Sequence, residues 1–103
     1  MKPVLIISTY PNKKSILKIA NELVKTKIIA CVNISKIDSV YSWNGTIQNS
    51  SEYIAIFKTI TKNKIKLKKK ITETHPYDVP EIAEIDVTSI NKSYLNWLIE
   101  STN

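Results

Sequence analysis

Glycine and cysteine occur once each in the 103-residue sequence, at Gly45 and Cys31, and arginine does not occur. A single glycine excludes the glycine-rich loops that cradle phosphates, and a single cysteine excludes a disulfide within the chain. Because the bidentate guanidinium fork is missing, we do not expect specific nucleic-acid binding. No apolar run approaches the roughly 20 residues that cross a bilayer, and no signal-peptide pattern is present at the start. We therefore expect a cytoplasmic protein with no membrane partner.

The residues that are present are typical of a small globular protein. Apolar residues make up 43% and charged residues 23% of the sequence, as in a folded chain rather than a disordered one. We expect a single domain over residues 1–103. The net charge of +6 is unevenly placed, because six lysines lie between Lys62 and Lys70. A local patch of this kind could meet nucleic acid or an acidic partner.

Hydrophobic periodicity predicts the order β-α-β-β-α-β, followed by a short C-terminal helix. The apolar run Val4–Ile7 predicts a first strand, and Asn12 is placed to cap the helix that follows it. This order is the split βαβ, or ferredoxin-like, α+β arrangement, with both helices on one face of an antiparallel four-stranded sheet. The later elements are predicted at about Asn63–Thr74 for the second helix, Ile82–Val87 for the last strand and Tyr94–Ile99 for the tail.

The two middle strands are predicted to form a long β-hairpin, at about residues 30–47 and 52–61. Strands in globular proteins are usually about 5–6 residues long, so this hairpin extends beyond a small domain and leaves unpaired edges. The aromatic residues Tyr41, Trp43 and Tyr53 lie on it and are typical of a protomer interface. We therefore expect self-association through the hairpin.

The position of the hairpin turn has two candidates. Asn44-Gly45 is a good type I′ signal, but the apolar alternation continues through Gly45 to Ile47. We favour a turn at the polar tetrad Gln48–Ser51, with Gly45 as a bulge or a point of close approach. A shift of the apolar phase at Lys36–Asp38 also predicts a β-bulge there.

The segment His75–Glu81 holds the only histidine and two of the four prolines. Proline fixes its own φ and biases the preceding residue toward extended backbone, so the segment is predicted to be a stiff connector. It contains an imidazole, a phenol and two carboxylates. It is either an ordinary helix-to-strand loop or one wall of a binding site.

Cys31 and His75 are the candidate metal ligands. Cys31 is otherwise a small buried hydrophobe or a thiolate nucleophile, and His75 is otherwise a structural histidine. One cysteine and one histidine cannot close a tetrahedral zinc site within a subunit. Added oxygen ligands, or several copies in an oligomer, could complete a site, and without them we expect weak, exchangeable binding that favours copper. The candidate oxygen donors are Glu52, Asp78, Glu81 and Glu84.

Lys58 lies among apolar strand residues, where a cation needs a counter-charge. Glu52 and Glu81 are the candidates for that counter-charge. No serine–histidine–aspartate or paired-carboxylate motif is present, so we do not expect an enzyme, although Cys31 with His75 would be the place to look for one.

Several motifs together resemble one known family and span nearly the whole chain. They are Thr9-Tyr10-Pro11, Ala30-Cys31-Val32-Asn33, Tyr41-Ser42-Trp43-Asn44-Gly45, Glu52, Lys58-Thr59, the run His75–Glu81 and Tyr94-Leu95-Asn96-Trp97. In this order they resemble the CutA divalent-cation tolerance family. The resemblance implies a ferredoxin-like homotrimer, similar in layout to the PII signalling proteins, with a link to divalent metals and to copper in particular.

The resemblance also implies site residues. Cys31 and His75 match the family's cysteine and histidine. The cleft between protomers would be lined by Tyr41, Trp43, Glu52, Lys58, Tyr77 and Glu81. Two departures are visible: Ser42 replaces a frequent aromatic residue, and the Gln48–Ser51 segment is neutral where acidic residues are common.

The sequence therefore supports a homotrimeric CutA-like protein that binds copper(II) or another divalent metal weakly, in a sensing or tolerance role and without an organic cofactor. The alternative is a PII-like module that holds a small anionic ligand against Lys58 in the cleft between protomers.

Overall fold

A computed structural model describes all residues from Met1 to Asn103. Four strands form one sheet in the order β2-β3-β1-β4, and every neighbouring pair is antiparallel. This is the predicted ferredoxin-like arrangement, which is confirmed. The elements are β1 Pro3–Tyr10, α1 Lys13–Lys25, β2 Cys31–Trp43, β3 Thr46–Ile60, a 3₁₀ turn Thr61–Asn63, α2 Lys64–Thr74, β4 Ala83–Asp86 and α3 Lys92–Glu100.

The main core lies between one face of the sheet and the two helices α1 and α2. The Asn12 side chain accepts a hydrogen bond from the Ser15 amide at 2.9 Å, so the predicted cap of α1 is confirmed. Helix α2 contributes Leu67 and Ile71, which are fully buried. The sheet and α1 supply the other principal members, which are Val4, Ile6, Tyr10, Ile16, Ile19, Ala20, Leu23, Ala55 and Phe57.

The hairpin turns at Asn44-Gly45, and the predicted turn at Gln48–Ser51 is wrong. Asn44 has a φ of 51° and Gly45 a φ of 76°. A type I′ turn needs positive φ at both central residues, and asparagine and glycine adopt it at the lowest cost. Gln48–Ser51 lies inside β3, paired with β2.

The predicted bulge at Lys36–Asp38 is also wrong. The pairing runs without interruption from Cys31 opposite Lys58 to Trp43 opposite Thr46. Val32 and Ile34 pack on the core beneath the helices, whereas the odd-numbered residues of β2 face the other side. The apolar phase shifts because the half of the hairpin near its turn extends beyond the helices. There the apolar side chains lie on the face that points away from the helices.

The second face of the sheet has only a partial cover. At one end, α3 packs Leu98 against Ala30 and Ile60. Elsewhere the apolar side chains of this face, including Leu5, Ile7, Ile37, Ile54 and Ile56, are only partly buried. The molecule measures 46 × 26 × 21 Å, because the hairpin extends along its long axis. None of the helices is long and apolar enough to span a membrane.

Candidate functional site

His75 joins the end of α2 to the end of β1. It ends the helix in extended conformation, with φ −71° and ψ 135°, as its position before Pro76 requires. Its Nε2 lies 2.8 Å from the carbonyl oxygen of Thr9, and its Nδ1 accepts from the Tyr77 amide at 3.0 Å. A carbonyl only accepts and an amide N–H only donates, so His75 is held as the neutral tautomer with the proton on Nε2.

The environment of His75 favours this neutral form. The ring stacks on that of Tyr10 with a centroid distance of 4.2 Å and an interplanar angle of 24°. Burial lowers the pKa of His75 below its usual value, and the hydrogen bond to the Thr9 carbonyl opposes that shift only in part. Because both ring nitrogens are engaged, a metal could bind His75 only by displacing one of these hydrogen bonds.

Tyr77 connects the same segment to the hairpin. Its hydroxyl donates to Oε2 of Glu52 at 2.7 Å. Burial raises the pKa of the Tyr77 phenol, and the Glu52 carboxylate raises it further. The phenol therefore stays protonated and remains a donor to the carboxylate at neutral pH.

A cavity of about 660 Å³ opens between the hairpin, the end of β1 and the segment after α2. Its volume lies within the range of small-molecule sites. We call it the hairpin pocket. It is lined by Thr9, Tyr41, Trp43, Gln48, Glu52, Pro76, Tyr77, Asp78, Val79 and Glu81.

The hairpin pocket brings together most of the predicted cleft residues within one chain. Tyr41, Trp43, Glu52, Tyr77 and Glu81 all line it. Sequence reasoning missed Thr9 and Gln48 as pocket residues. No local signal could have placed them there, because the β1–β3 register and the turn position bring these residues to the pocket.

The electrostatic character of the hairpin pocket is acidic. Glu52, Asp78 and Glu81 line it, and no lysine does, although the chain has 15 lysines. Carboxylates beside exposed aromatic rings attract cations. The pocket is therefore better suited to a positively charged ligand than to an anion.

Lys58 does not line the hairpin pocket. It lies six positions from Glu52 along β3, which is roughly 20 Å. Its Nζ is 5.6 Å from the centroid of the Tyr94 ring, and the only ion pairs are those of Lys64 and Lys68 with Glu84. Neither of the counter-charges predicted for Lys58 forms an ion pair with it within one chain. Glu52 is too far away along β3, and Glu81 lines the hairpin pocket, which Lys58 does not reach.

Cys31 lies far from His75. Cys31 begins β2 and is paired with Lys58 of β3. His75 stacks on the ring of Tyr10, and Tyr10 is paired with Tyr53 of β3. Five positions of β3 separate the two places, roughly 17 Å, and they lie on opposite faces of the sheet. The chain contains no cluster of three or more histidine, cysteine, aspartate or glutamate residues able to hold a metal. One chain thus forms neither a Cys31–His75 metal site nor a nucleophile–base pair.

The strand order, the two helices on one face and the long hairpin define the class of this protein as a ferredoxin-like α+β fold with a pocket on the hairpin. The family model described as CutA1 divalent ion tolerance protein matches residues 4–101. The chain belongs to the CutA family, as its motifs predict.

Individual relatives agree with this assignment along the whole chain. The divalent-cation tolerance protein CutA of Pyrococcus horikoshii is 41% identical over 99 residues, which cover 96% of this chain and 97% of the relative. The crystal structure of the divalent ion tolerance protein CutA1 from Ehrlichia chaffeensis matches with a TM-score of 0.94 and 38% identity, over 100% of this chain and 98% of that one.

The names of the relatives give different cellular locations, chloroplastic for the Arabidopsis thaliana protein and periplasmic for another. The structure of the protein from Archaeoglobus fulgidus, with a TM-score of 0.90 and 30% identity over 96% of this chain and 97% of that one, is described as a periplasmic divalent cation tolerance protein. The cytoplasmic location of the present protein therefore stays a prediction.

Proposed function

We propose that this protein acts in divalent-cation tolerance as a homotrimer that binds copper(II) or another divalent metal weakly and exchangeably. The observation that carries the proposal is the acidic hairpin pocket, which Glu52, Asp78 and Glu81 line without a lysine, although these carboxylates do not form a ready cluster of metal ligands within one chain. Copper is the first candidate because it leads the affinity order of divalent ions at mixed nitrogen, oxygen and sulfur donors. The names of the relatives associate the family with divalent cations.

Weak binding follows from the state of the donors. His75 already has both ring nitrogens in hydrogen bonds, and Cys31 lies far from it along the sheet. In a trimer, Cys31 of one protomer would meet ligands supplied by another. A site shared in this way exists only in the trimer, so its affinity for metal depends on trimer formation.

Self-association is supported by the surfaces that one chain leaves open. Val40, Trp43 and Ile47 on the hairpin are 67%, 63% and 66% exposed. The whole outer edge of β2 is unpaired, because β2 lies at the end of the sheet. The second face of the sheet also carries partly exposed apolar side chains. The expectation of three protomers comes from the resemblance to the CutA family. In such a trimer, the acidic pocket of one protomer would supply the counter-charge that Lys58 of the next protomer lacks.

Solution mass and copper titration test the proposal together. We expect a mass three times that of the 11.7 kDa chain and saturable copper(II) binding that a chelator reverses. Two variants separate the donors: Cys31→Ser with His75→Ala, and Glu52→Gln with Asp78→Asn and Glu81→Gln. Loss of binding in either variant, with the trimer retained, assigns the ligands. Unchanged binding in both, or a monomeric protein, would overturn the proposal.

A PII-like role with a small anionic ligand is the second candidate. It is favoured by one observation, which is that Lys58 has no acidic partner within its own chain. The acidic pocket argues against it. A thermal-shift screen with nucleotides and organic acids tests it, and a stabilisation that survives Lys58→Ala would count against this version.

We also propose that the protein is not an enzyme and uses no organic cofactor. Cys31 has no histidine base within reach in its own chain, and His75 is engaged on both nitrogens. Alkylation of Cys31 in the folded protein at the rate of an ordinary thiol, with no acceleration near neutral pH, is the expected result.

A further inference from the structure

The charge of the protein is divided between two parts of the fold. The segments that form α1, the 3₁₀ turn and α2 contain ten lysines and two glutamates, a net charge of +8. All the other residues together contain five lysines and seven acidic residues, a net charge of −2. The positive charge therefore belongs to the helical layer, and α1 adds four lysines to the six that the sequence pattern singled out.

Helical periodicity places a subset of these lysines on the side opposite the core. On α1 the buried residues include Ile16 and Leu23, and on α2 they are Leu67 and Ile71. The exposed lysines roughly half a turn away point outward from the layer. We call them the lysine face, and they are Lys14, Lys18, Lys25, Lys62, Lys66 and Lys69.

No carboxylate forms an ion pair with a lysine of this face, although Glu22 on α1 and Glu73 on α2 share its outer side and reduce its net charge from +6 to +4. The only carboxylate paired with lysines in the chain is that of Glu84, which holds Lys64 at 3.1 Å and also Lys68, and neither belongs to the lysine face. Its lysines are therefore free to meet an external polyanion. The face lies on the opposite side of α1 and α2 from the sheet, so the hairpin pocket and the proposed trimer contacts do not use it.

The shape of this layer selects among polyanions. α1 and α2 lie side by side on one face of the sheet, and they are roughly 20 Å and 16 Å long at 1.5 Å per residue. Two such helices present their outer lysines in about one plane. A planar anionic surface meets all of them at once, whereas a nucleic-acid duplex curves away from the edges of the layer.

The composition of the layer points the same way. Neither α1 nor α2 contains an aromatic residue or an arginine, the groups that stack on bases or read them. Ile65, however, is 76% exposed among the lysines of α2. This side chain gains nothing by contact with a nucleic-acid backbone, whereas it can bury its apolar surface at the boundary between lipid headgroups and acyl chains.

We propose that the lysine face binds the surface of an anionic lipid bilayer, with Ile65 entering the headgroup region. The sequence-based expectation of no membrane partner rested on spanning segments, and surface binding needs none. Each lysine near an anionic bilayer contributes about fivefold in binding constant. Binding therefore falls steeply with ionic strength as the charges are screened. This inference does not depend on the proposed metal function.

Co-sedimentation with vesicles tests the proposal. Vesicles of phosphatidylcholine alone and of phosphatidylcholine with about one-third phosphatidylglycerol are compared at low, physiological and high salt. The face variant is Lys62→Gln, Lys66→Gln and Lys69→Gln. The matched control is Lys2→Gln, Lys36→Gln and Lys92→Gln, which removes the same charge from exposed lysines elsewhere.

We expect binding only to the anionic vesicles, a loss of about 100-fold in the face variant, and a much smaller loss in the control. Ile65→Ser should lower the binding that remains at high salt. Equal losses in the two lysine variants would overturn the proposal, because net charge alone would then explain binding. No binding to anionic vesicles, or tighter binding to duplex DNA at the same salt concentration, would also overturn it. Thermal unfolding of each variant excludes loss of the fold as the cause.

Discussion

The hydroxyl of Tyr77 donates to the Glu52 carboxylate at 2.7 Å and thereby joins the segment after α2 to the middle of β3. This bond closes one side of the hairpin pocket. On the other side of Tyr77, its backbone amide donates to His75. Tyr77 thus connects the only histidine of the chain to the Glu52 carboxylate. The first prediction concerns Tyr77, and the second concerns His75.

Replacement of Tyr77 by phenylalanine removes the hydroxyl and leaves Glu52 without its donor. Hydrogen bonds to charged groups contribute roughly 1.5–3 kcal/mol, and solvent reduces that value at a half-buried site, so we expect a loss of about 1 kcal/mol in the free energy of unfolding. Urea unfolding measures it. Tyr41→Phe is the matched control, because the Tyr41 hydroxyl meets only Ser50, at 3.4 Å on the exposed surface. Equal losses in the two variants would show that the Tyr77–Glu52 bond has no special role.

Stability should depend on pH through His75. Burial lowers its pKa in the folded protein, so the unfolded chain binds a proton at higher pH than the folded one does. The free energy of unfolding is therefore fully maintained above about pH 6.5, the ordinary value. It falls as the pH decreases below that value and stops falling once the pH is below the folded pKa.

The variant His75→Gln tests this dependence, since the chain has no other histidine. The free energy of unfolding, measured with urea between pH 5 and 8, should change less with pH in the variant than in the parent protein. The carboxylates contribute equally to the pH dependence of both. The imidazole proton signal in NMR reports the folded pKa directly. A folded pKa at or above 6.5 would contradict the prediction.

The hairpin turn provides a prediction about backbone conformation. Gly45 has a φ of 76°, and an added Cβ would meet nothing within 4 Å. The cost of Gly45→Ala is therefore conformational, about 1 kcal/mol in the free energy of unfolding. Asn49 lies in the segment where a turn was wrongly predicted, and Asn49→Ala should change the free energy of unfolding by less than about 0.5 kcal/mol. A larger effect at Asn49 than at Gly45 would be inconsistent with the Asn44-Gly45 turn.

The buried carbonyl of Ile28 accepts two hydrogen bonds, from the Thr59 hydroxyl at 2.6 Å and from the Asn63 side-chain amide at 3.2 Å. Thr59→Val leaves the second donor in place, so it should cost about 1 kcal/mol. Adding Asn63→Ala leaves the carbonyl without a side-chain donor. We expect the double variant to lose more than the sum of the single losses, by at least about 0.5 kcal/mol in a double-mutant cycle. Additive losses would mean that the two bonds are independent.

Much of the candidate site was predictable because its residues occur in short motifs. Trp43, Glu52 and most of the His75–Glu81 run were named from the sequence and line the hairpin pocket, whereas His75 itself does not. Lys58 was named with them and lies elsewhere. A motif indicates which residues belong to a family, but the distance between two residues on one strand depends on the register and length of that strand.

The sequence by itself determined the order of elements, the Asn12 cap, the ferredoxin-like class and the family. These depend on periodicity, capping and local motifs, which act between residues close along the chain. Tertiary structure decided the turn at Asn44-Gly45, the unbroken register of the hairpin, the separation of Cys31 from His75 and the neutral tautomer of His75. Each of these depends on which strands and helix ends lie side by side. Competing local signals, such as the two possible turns, are resolved only when all the pairings of the sheet form together.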